Sequence, residues 1–206
     1  MVQKPKLSLI MTEYNEERLE NDRISDLIFK QNIKQSDLQQ KTFDSCIFKD
    51  MDFSQNILEK CAYIDCVFTK CDFSNCDLTE SNFRRCEFKQ CKMVGSDLSK
   101  SILNDCLMEE VAARYSNFSG CKIKDSKFER CNMDLAAYNE VIFKKVEISD
   151  CSYKECEFIH TSLSGLDFSD SILEGITVYP TDLKGILVNS DQALNLVSIL
   201  GIKVKD

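Results

Sequence analysis

Twelve cysteines and a single histidine are the residues of this 206-residue chain with the most specific chemistry. Clustered cysteines bind zinc or form disulfides, and a cysteine beside a histidine is a common nucleophile. The cysteines are Cys46, Cys61, Cys66, Cys71, Cys76, Cys86, Cys91, Cys106, Cys121, Cys131, Cys151 and Cys156. Zinc ligands come in pairs with two to four residues between them. Every separation here is a multiple of five, so the spacing does not predict a metal site.

The same spacing disfavours disulfides. In a stacked repeat, cysteines one full coil apart, such as Cys46 and Cys66, would be separated by about one strand spacing, roughly 4.8 Å. A disulfide needs Cβ atoms about 3.8 Å apart. We therefore expect reduced thiols that pack as small apolar side chains in a buried core.

His160 could form a nucleophile pair only with Cys156, and its place in the pattern predicts a surface histidine beside a buried thiol. The sequence contains no phosphate-binding glycine loop, serine-hydrolase motif or His-Glu metal motif. A filled interior would also offer no obvious pocket. The sequence therefore predicts that the protein is not an enzyme and needs no cofactor.

A five-residue pattern explains the placement of the cysteines. Every fifth residue from Ile28 to Val188 is uncharged and usually large and apolar, and this series contains all but one of the 13 phenylalanines. All twelve cysteines lie two residues before a member of the series, where most other residues of mid-chain are serine or alanine. The pattern therefore has one large position and one small position, and both are expected to point inward.

A period of five fits neither a helix, with its period of 3.6, nor a strand, with its period of 2. It predicts a chain that turns a corner once in every pentapeptide, so that four pentapeptides close one square coil. Stacked coils would bond through their backbones at about 4.8 Å, as in other β-helices. About eight coils would give a rod roughly 40 Å long.

Several segments carry a small residue, then Asp or Asn, then Leu or Phe. They include Cys71-Asp72-Phe73-Ser74, Cys76-Asp77-Leu78-Thr79, Ser81-Asn82-Phe83 and Ser96-Asp97-Leu98-Ser99. In this the chain resembles the pentapeptide-repeat family, which implies an all-β fold, a right-handed quadrilateral parallel β-helix. We divide the chain into an N-terminal segment over 1–24, either a cap or partly disordered, a β-helix over 25–190, and a C-terminal helix and tail over 191–206.

The net charge is −8 and the isoelectric point is about 4.9. An acidic surface repels nucleic-acid phosphates and anionic lipids, so we expect a basic protein partner and no direct contact with nucleic acid or membrane. The sequence has no apolar run long enough to span a membrane and no secretory signal, which favours a cytoplasmic location.

A different pattern follows Val188. Asn189-Ser190-Asp191 offers capping side chains for a helix that stops at Gly201. The helix is apolar on more than one face, so one face could cap the open end of the β-helix. A cap alone is one interpretation. The other adds a homodimer interface formed by Ala193, Leu194, Leu196, Val197 and Leu200.

The tail narrows the resemblance. Asp182-Leu183-Lys184-Gly185-Ile186, followed by Gln192-Ala193 and Leu200-Gly201-Ile202, is similar to the C-terminal signature of the Qnr and MfpA-type quinolone-resistance proteins. That resemblance implies two rods joined end to end, a dimer that imitates B-form DNA, and binding to DNA gyrase and often topoisomerase IV. Several Qnr proteins carry loops that interrupt the repeat, and this pattern has none, which leaves open whether the protein protects gyrase from the drug, inhibits it, or does both.

Many pentapeptide-repeat proteins have no link to topoisomerases. A structural or scaffold protein that binds another basic partner is therefore the alternative function.

Grouping residues by position within the coil maps the charge onto four faces. Two opposite faces are acidic, one is basic and one is almost neutral. Acidic residues crowd the C-terminal half, near the centre of the implied dimer, and the ordinary alternative is a solvated surface. The acidic residues predicted to bind the partner are Glu140, Glu147, Asp150, Glu157, Asp167 and Asp170.

Overall fold

The structure, a computed structural model, describes residues 2–14, 19–34, 37–54, 56–203 and 205. Over these ranges the chain forms a parallel β-solenoid of about eight coils with a short C-terminal helix. The segment 1–24, for which a cap and disorder were the alternatives, lies partly outside the described residues. Within the described ranges, no helix has the length and apolar character needed to cross a membrane.

The strands are short and evenly spaced. Within the described ranges they are β1 (Thr12–Glu13), β2 (Arg23–Ser25), β3 (Leu27–Phe29), β4 (Thr42–Asp44), β5 (Ile47–Lys49), β6 (Ala62–Ile64), β7 (Val67–Thr69), β8 (Asn82–Arg84), β9 (Glu87–Lys89), β10 (Ile102–Asn104), β11 (Leu107–Glu109), β12 (Lys122–Lys124), β13 (Lys127–Glu129), β14 (Ile142–Lys144), β15 (Glu147–Ser149), β16 (Glu157–Phe158) and β17 (Thr177–Val178). Two 3-10 helices, Pro180–Leu183 and Ser198–Leu200, flank the helix α1 (Ser190–Val197).

The strands stack into two sheets on adjacent sides of the coil. The odd strands from β1 to β15 form the larger sheet, the even strands from β2 to β14 form the smaller sheet, and β16 pairs with β17. Partners along most of each sheet are four pentapeptides apart in sequence, as Phe68 is from Phe88. The other two sides are turns joined by single bridges such as Asp72 to Lys92. These four sides confirm the predicted coil of four pentapeptides.

Each corner needs a left-handed backbone, which few residues adopt readily. Asp65 and Arg85 have φ values of 55° and 51° at one such corner. Gly95 has a φ of 68°, and a Cβ there would lie only 2.6 Å from Oδ1 of Asn75. These two constraints explain why this position of the repeat accepts glycine.

The large position of the repeat fills the core with stacked rings. Phe48, Phe68 and Phe88 stack in one column, with ring centroids 4.8 and 4.7 Å apart. A second column contains Tyr63 and Phe83, 5.0 Å apart. Stacked aromatic pairs stabilise a fold by about 0.5–1.5 kcal/mol beyond their area burial, so these columns add to the stability that the backbone hydrogen bonds between coils provide.

All twelve cysteines are buried, at the small position that the pattern assigns to them. Most thiols donate to a backbone carbonyl of the preceding coil, as Cys61 Sγ does to Leu38 O at 2.8 Å. Burial raises the pKa of Cys61 to about 11 and that of Cys121 to about 12. Both thiols therefore stay protonated and act as packing groups.

The first coil departs from the predicted register. The pattern assigns the inward position to Ile28, but Ile28 is only partly buried while Phe29 is fully buried. Phe29 pairs with Phe48, one residue short of a full coil away, and stacks on Tyr14 and Phe48 at 4.7 and 4.5 Å. The prediction for Ile28 was wrong because the ring of Phe29, placed inward, extends the aromatic column that contains Phe48. The inward position is therefore one residue later than predicted in this coil, and the predicted register resumes at Ile33.

Candidate partner-binding surfaces

All six acidic residues predicted to bind the partner are exposed, and the coil divides them into two groups. The C-terminal acidic cluster contains Glu147, Asp150, Asp167 and Asp170, on the side of the rod that carries the larger sheet. Glu147 and Asp167 are one coil apart, and so are Asp150 and Asp170. Glu140 and Glu157 lie on the opposite side, so the rod separates the two groups.

The aspartates of the C-terminal acidic cluster remain available for a partner. Among the described residues, Asp150, Asp167 and Asp170 form no ion pair. The backbone N–H of Ser169 donates to Asp167 Oδ1 at 2.9 Å, and the hydrogen bonds from Ser169 lower the pKa of Asp167. Asp167 is therefore ionised at neutral pH.

Acidic residues nearer the middle of the larger sheet are neutralised instead. Arg130 pairs with Glu109 at 2.5 Å, with Glu110 at 3.3 Å and also with Glu129. Lys127 contacts Glu129 at 2.7 Å. The negative field on this side is therefore strongest towards the C-terminal end, beside α1.

The smaller sheet is the basic face that the charge map predicts. Lys122, Lys124 and Lys144 project outward from β12 and β14, and Lys145 follows at the corner. Among the described residues, Lys124 pairs with Asp125 at 3.2 Å, whereas Lys122, Lys144 and Lys145 form no ion pair. Positive and negative surfaces thus meet along one edge of the rod.

Helix α1 closes the C-terminal end of the solenoid. Asn189 and Gln192 form a capping box, in which each side chain bonds the backbone of the other residue. Gln192 Nε2 also donates to Phe168 O at 2.8 Å and Ser171 O at 2.5 Å. The helix thereby satisfies carbonyl groups of the last coil that would otherwise face an open edge.

The five residues predicted for a dimer interface divide between two roles. Leu196 packs against the core, and Val197 is also partly buried. Ala193 is exposed, and Leu194 and Leu200 are each more than half exposed, as is Ile202 beyond them. One face of the tail is a cap, while a second apolar face stays uncovered in a single copy of the chain.

The sequence did not predict the course of the N-terminal segment. Residues 2–8 run along the corner shared by the two sheets. The backbone N–H groups of Gln3, Lys6 and Ser8 donate to Asp105, Asp65 and Ser45, at 3.4, 2.8 and 2.7 Å respectively. The only signal was the recurrence of polar residues at this corner of successive coils.

A groove of about 390 Å³ lies between this segment and the larger sheet, although the sequence predicted no obvious pocket. Its lining includes Val2, Lys4, Leu107 and Glu147. His160, in contrast, is exposed beside Tyr179, with ring centroids 5.0 Å apart. Cys156 is fully buried and donates to Met133 O at 3.0 Å. Among the described residues, no group of His, Cys, Asp and Glu could hold a metal ion.

Comparison with known proteins identifies the family. Residues 81–149 and 121–196 match the model of the pentapeptide repeat region, which together is more than half of the chain. The chain therefore belongs to the pentapeptide-repeat family. No curated protein matches its sequence.

Solved structures show distant similarity. A trypsin-treated variant of QnrB1, a plasmid-mediated fluoroquinolone resistance protein, is 20% identical, with 97% of this chain and 98% of that chain covered and a TM-score of 0.49. HetL, from the cyanobacterium Nostoc sp. strain PCC 7120, is 14% identical over 80% of this chain and 86% of its own, with a TM-score of 0.42. A thylakoid-lumen protein of Arabidopsis thaliana is 20% identical over 62% of this chain and 72% of its own, with a TM-score of 0.30. Similarities this low say nothing about function.

Proposed function

We propose that this chain is a DNA-mimicking protein that binds DNA gyrase, with topoisomerase IV as a second target, and protects the enzyme from quinolones or a related poison. The observation that carries the proposal is the position of the C-terminal acidic cluster. Its aspartates are exposed, without ion pairs among the described residues, and next to a tail that leaves an apolar face uncovered.

Dimerisation through that face would bring two acidic clusters together at the centre of a longer rod. A rod of roughly 40 Å has the length of about 12 base pairs of B-form DNA, and two rods have about twice that. A basic DNA-binding surface on a topoisomerase would then meet a negative ligand of suitable length. Complementary charge of this kind speeds association and makes binding sensitive to salt.

The tail residues that resemble the Qnr and MfpA signature have roles that fit this arrangement. Gln192 bonds the last coil, and Gly201 has a left-handed φ of 71° directly after Leu200. Together they fix the direction in which the exposed leucines point. Binding to the DNA site would also inhibit the enzyme when no drug is present.

A scaffold function is the second candidate, and the basic smaller sheet favours it. A DNA surface is negative on every side, whereas this rod presents Lys122, Lys144 and Lys145 on one face. A scaffold would use the acidic and basic faces for two different partners. A monomer in sedimentation, together with no effect on gyrase supercoiling, would favour this function.

A binding titration tests the first proposal. Purified gyrase is titrated with the wild-type protein and with Asp150→Asn, Asp167→Asn and Asp170→Asn combined, at two salt concentrations. The control carries Asp50→Asn, Asp52→Asn and Glu80→Gln, which remove the same charge from exposed sites in the N-terminal half.

The proposal expects binding that weakens with salt, that is lost in the C-terminal triple variant and that persists in the control. Equal binding by both variants would contradict the assignment of the acidic cluster. Absence of binding by the wild type would contradict the proposed partner.

A further inference from the structure

One corner of the solenoid carries a row of buried polar side chains. Ser45, Asp65, Arg85 and Asp105 follow one another at intervals of one coil, and each is less than a tenth exposed. They lie where the acidic larger sheet meets the basic smaller sheet. Buried polar groups need hydrogen-bond partners, and here the N-terminal segment supplies one each to Ser45, Asp65 and Asp105.

The spacing of the segment matches the spacing of the coils. Asp65 and Asp105 are two coils apart, roughly 9.6 Å, and an extended chain covers about the same distance between Gln3 and Lys6. The N–H of Gln3 donates to the carboxylate of Asp105, and the N–H of Lys6 donates to that of Asp65. Further along, Lys6 and Ser8 bond Asp65 and Ser45, one coil apart.

Among the described residues, the hydrogen bonds that hold the segment to the rod come from its backbone. None of residues 2–10 is buried, and Leu9 and Ile10 are almost wholly exposed where the chain turns back towards β1. Removing such a segment would cost little apolar burial. It would, however, leave the Asp65 and Asp105 carboxylates without their main-chain donors.

The charges at this contact favour a basic ligand, because Asp105 has no ion pair among the described residues and the charge of Lys6 helps to lower the pKa of Asp65. Asp125 lies on the same corner as Asp65 and Asp105, and the segment that runs along this corner carries Lys4 and Lys6. Arg85 donates to both oxygens of Asp65, at 2.6 and 2.5 Å, and holds that carboxylate in place for the Lys6 N–H. The Arg85–Asp65 ion pair does not include the segment, so we expect the carboxylate to keep this position when the segment is released.

We propose that this corner is a binding site for an extended basic peptide, and that residues 3–8 of the chain are its resident, displaceable ligand. Recognition is through main-chain N–H groups, with Asp65 as the central acceptor. A basic segment of a partner protein would bind by displacing the resident segment. The proposal does not depend on the topoisomerase function.

The test uses the full chain in which the resident segment is released. Lys6→Pro together with Ser8→Pro removes two of the three N–H donors and leaves every residue of the site unchanged. Leu7→Pro is the matched control, because no hydrogen bond from its N–H to the rod occurs among the described residues. A fluorophore on residue 2 reports whether the segment has been released.

A labelled synthetic peptide with the sequence of residues 2–10 is then titrated against each protein. We expect saturable binding to the Lys6→Pro/Ser8→Pro protein, and binding at least about tenfold weaker to the wild type and to Leu7→Pro, where the resident segment competes. A peptide with proline in place of Lys6, or Asp65→Asn in the released protein, should also weaken binding at least about tenfold.

Three results would overturn the proposal. The first is a released segment with no saturable peptide binding. The second is equal binding of the proline-substituted peptide. The third is a segment that stays docked in the Lys6→Pro/Ser8→Pro protein, since main-chain donors would then not be what holds it.

Discussion

Arg85 and Asp65, one coil apart, form a bidentate ion pair, with Nε to Oδ1 at 2.6 Å and Nη2 to Oδ2 at 2.5 Å. Both side chains are nearly buried beneath the N-terminal segment. A guanidinium and a carboxylate in this arrangement are strongly held, and removing one partner leaves the other charge without compensation. The pair therefore links the repeat to the segment that crosses it.

Asp65→Ala should lower the free energy of unfolding by about 2–4 kcal/mol, because it leaves Arg85 buried and unpaired. Asp125→Ala is the matched control, since Asp125 lies on the same corner with a left-handed backbone but is more exposed and, among the described residues, pairs with Lys124 alone. We expect Asp125→Ala to cost about 1 kcal/mol or less beyond the backbone cost that both variants share. Urea denaturation measures both, and equal losses would contradict the assigned role of the pair.

This stabilisation should depend on pH. Burial raises the pKa of Asp65, but hydrogen bonds from Arg85 and from the Lys6 amide lower it by more than burial raises it. The pKa of Asp65 therefore lies below its ordinary value. A carboxyl whose pKa is lower in the folded state stabilises the protein above its unfolded pKa of about 3.9, and that contribution is lost as the pH falls through the folded pKa. The difference between wild type and Asp65→Ala should be full at pH 6–7 and shrink below about pH 4. A constant difference down to pH 3 would be inconsistent with this account.

Tyr138→Phe should leave the protein equally stable or more stable, by about 1–2 kcal/mol. The Tyr138 hydroxyl is buried in a ring column between Phe118 and Phe158, and it has no hydrogen-bond partner among the described residues. Phenylalanine would keep the stacking and remove the unsatisfied hydroxyl. Thermal unfolding gives the comparison, and a clear loss of stability would mean that the hydroxyl has a partner.

Thiol reagents should not modify the native protein at pH 8. All twelve cysteines are buried, and desolvation raises the pKa of Cys61 to about 11 and those of Cys121 and Cys156 to about 12. The thiolate is the reactive form. Hydrogen bonds from neighbouring thiols lower the pKa of Cys46, Cys91 and Cys151, but their burial still excludes the reagent. Labelling should therefore require unfolding and should accelerate in urea. Mass spectrometry counts the modified thiols, and rapid labelling of the native fold would refute the packing role.

Substitutions in the tail should separate its capping role from its proposed role as a dimer interface. Gln192→Ala removes the two bonds to Phe168 O and Ser171 O and should cost about 1–3 kcal/mol of stability. Leu194→Asp together with Leu200→Asp should change stability by about 0.5 kcal/mol or less, because both side chains are exposed. The proposed dimer should nevertheless dissociate in the double leucine variant, which sedimentation detects. A wild-type protein that sediments as a monomer would contradict the proposed dimer interface.

The repeat could be predicted from the sequence because each position of the pentapeptide has one physical role. One position takes a large inward-facing residue, a second takes a small inward-facing residue, and the corner position accepts glycine. This pattern continues through Val188. The first coil was assigned wrongly because Ile28 and Phe29 are both apolar, and only the ring column at Phe48 decides between them.

The surface was predictable only in part. The exposure of Asp150, Asp167 and Asp170 follows from their place in the coil, but the neutralisation of Glu109 and Glu129 by Arg130 depends on side-chain contacts. The N-terminal segment has no period, and it binds through main-chain groups that every sequence carries. The recurrence of polar residues at the corner indicates that something binds there, but no pattern of residue types could identify this segment as the ligand.

A supercoiling assay with purified gyrase is the most direct test of whether this protein acts on the enzyme. Gyrase is assayed with and without a fluoroquinolone across a titration of the protein, with the Asp150/Asp167/Asp170 variant and its N-terminal control in parallel. We expect the wild type and the control to relieve drug inhibition over some range of concentration and to inhibit supercoiling when in excess. We expect the variant to show neither effect. Unchanged gyrase activity across the whole titration, with and without drug, would contradict these expectations.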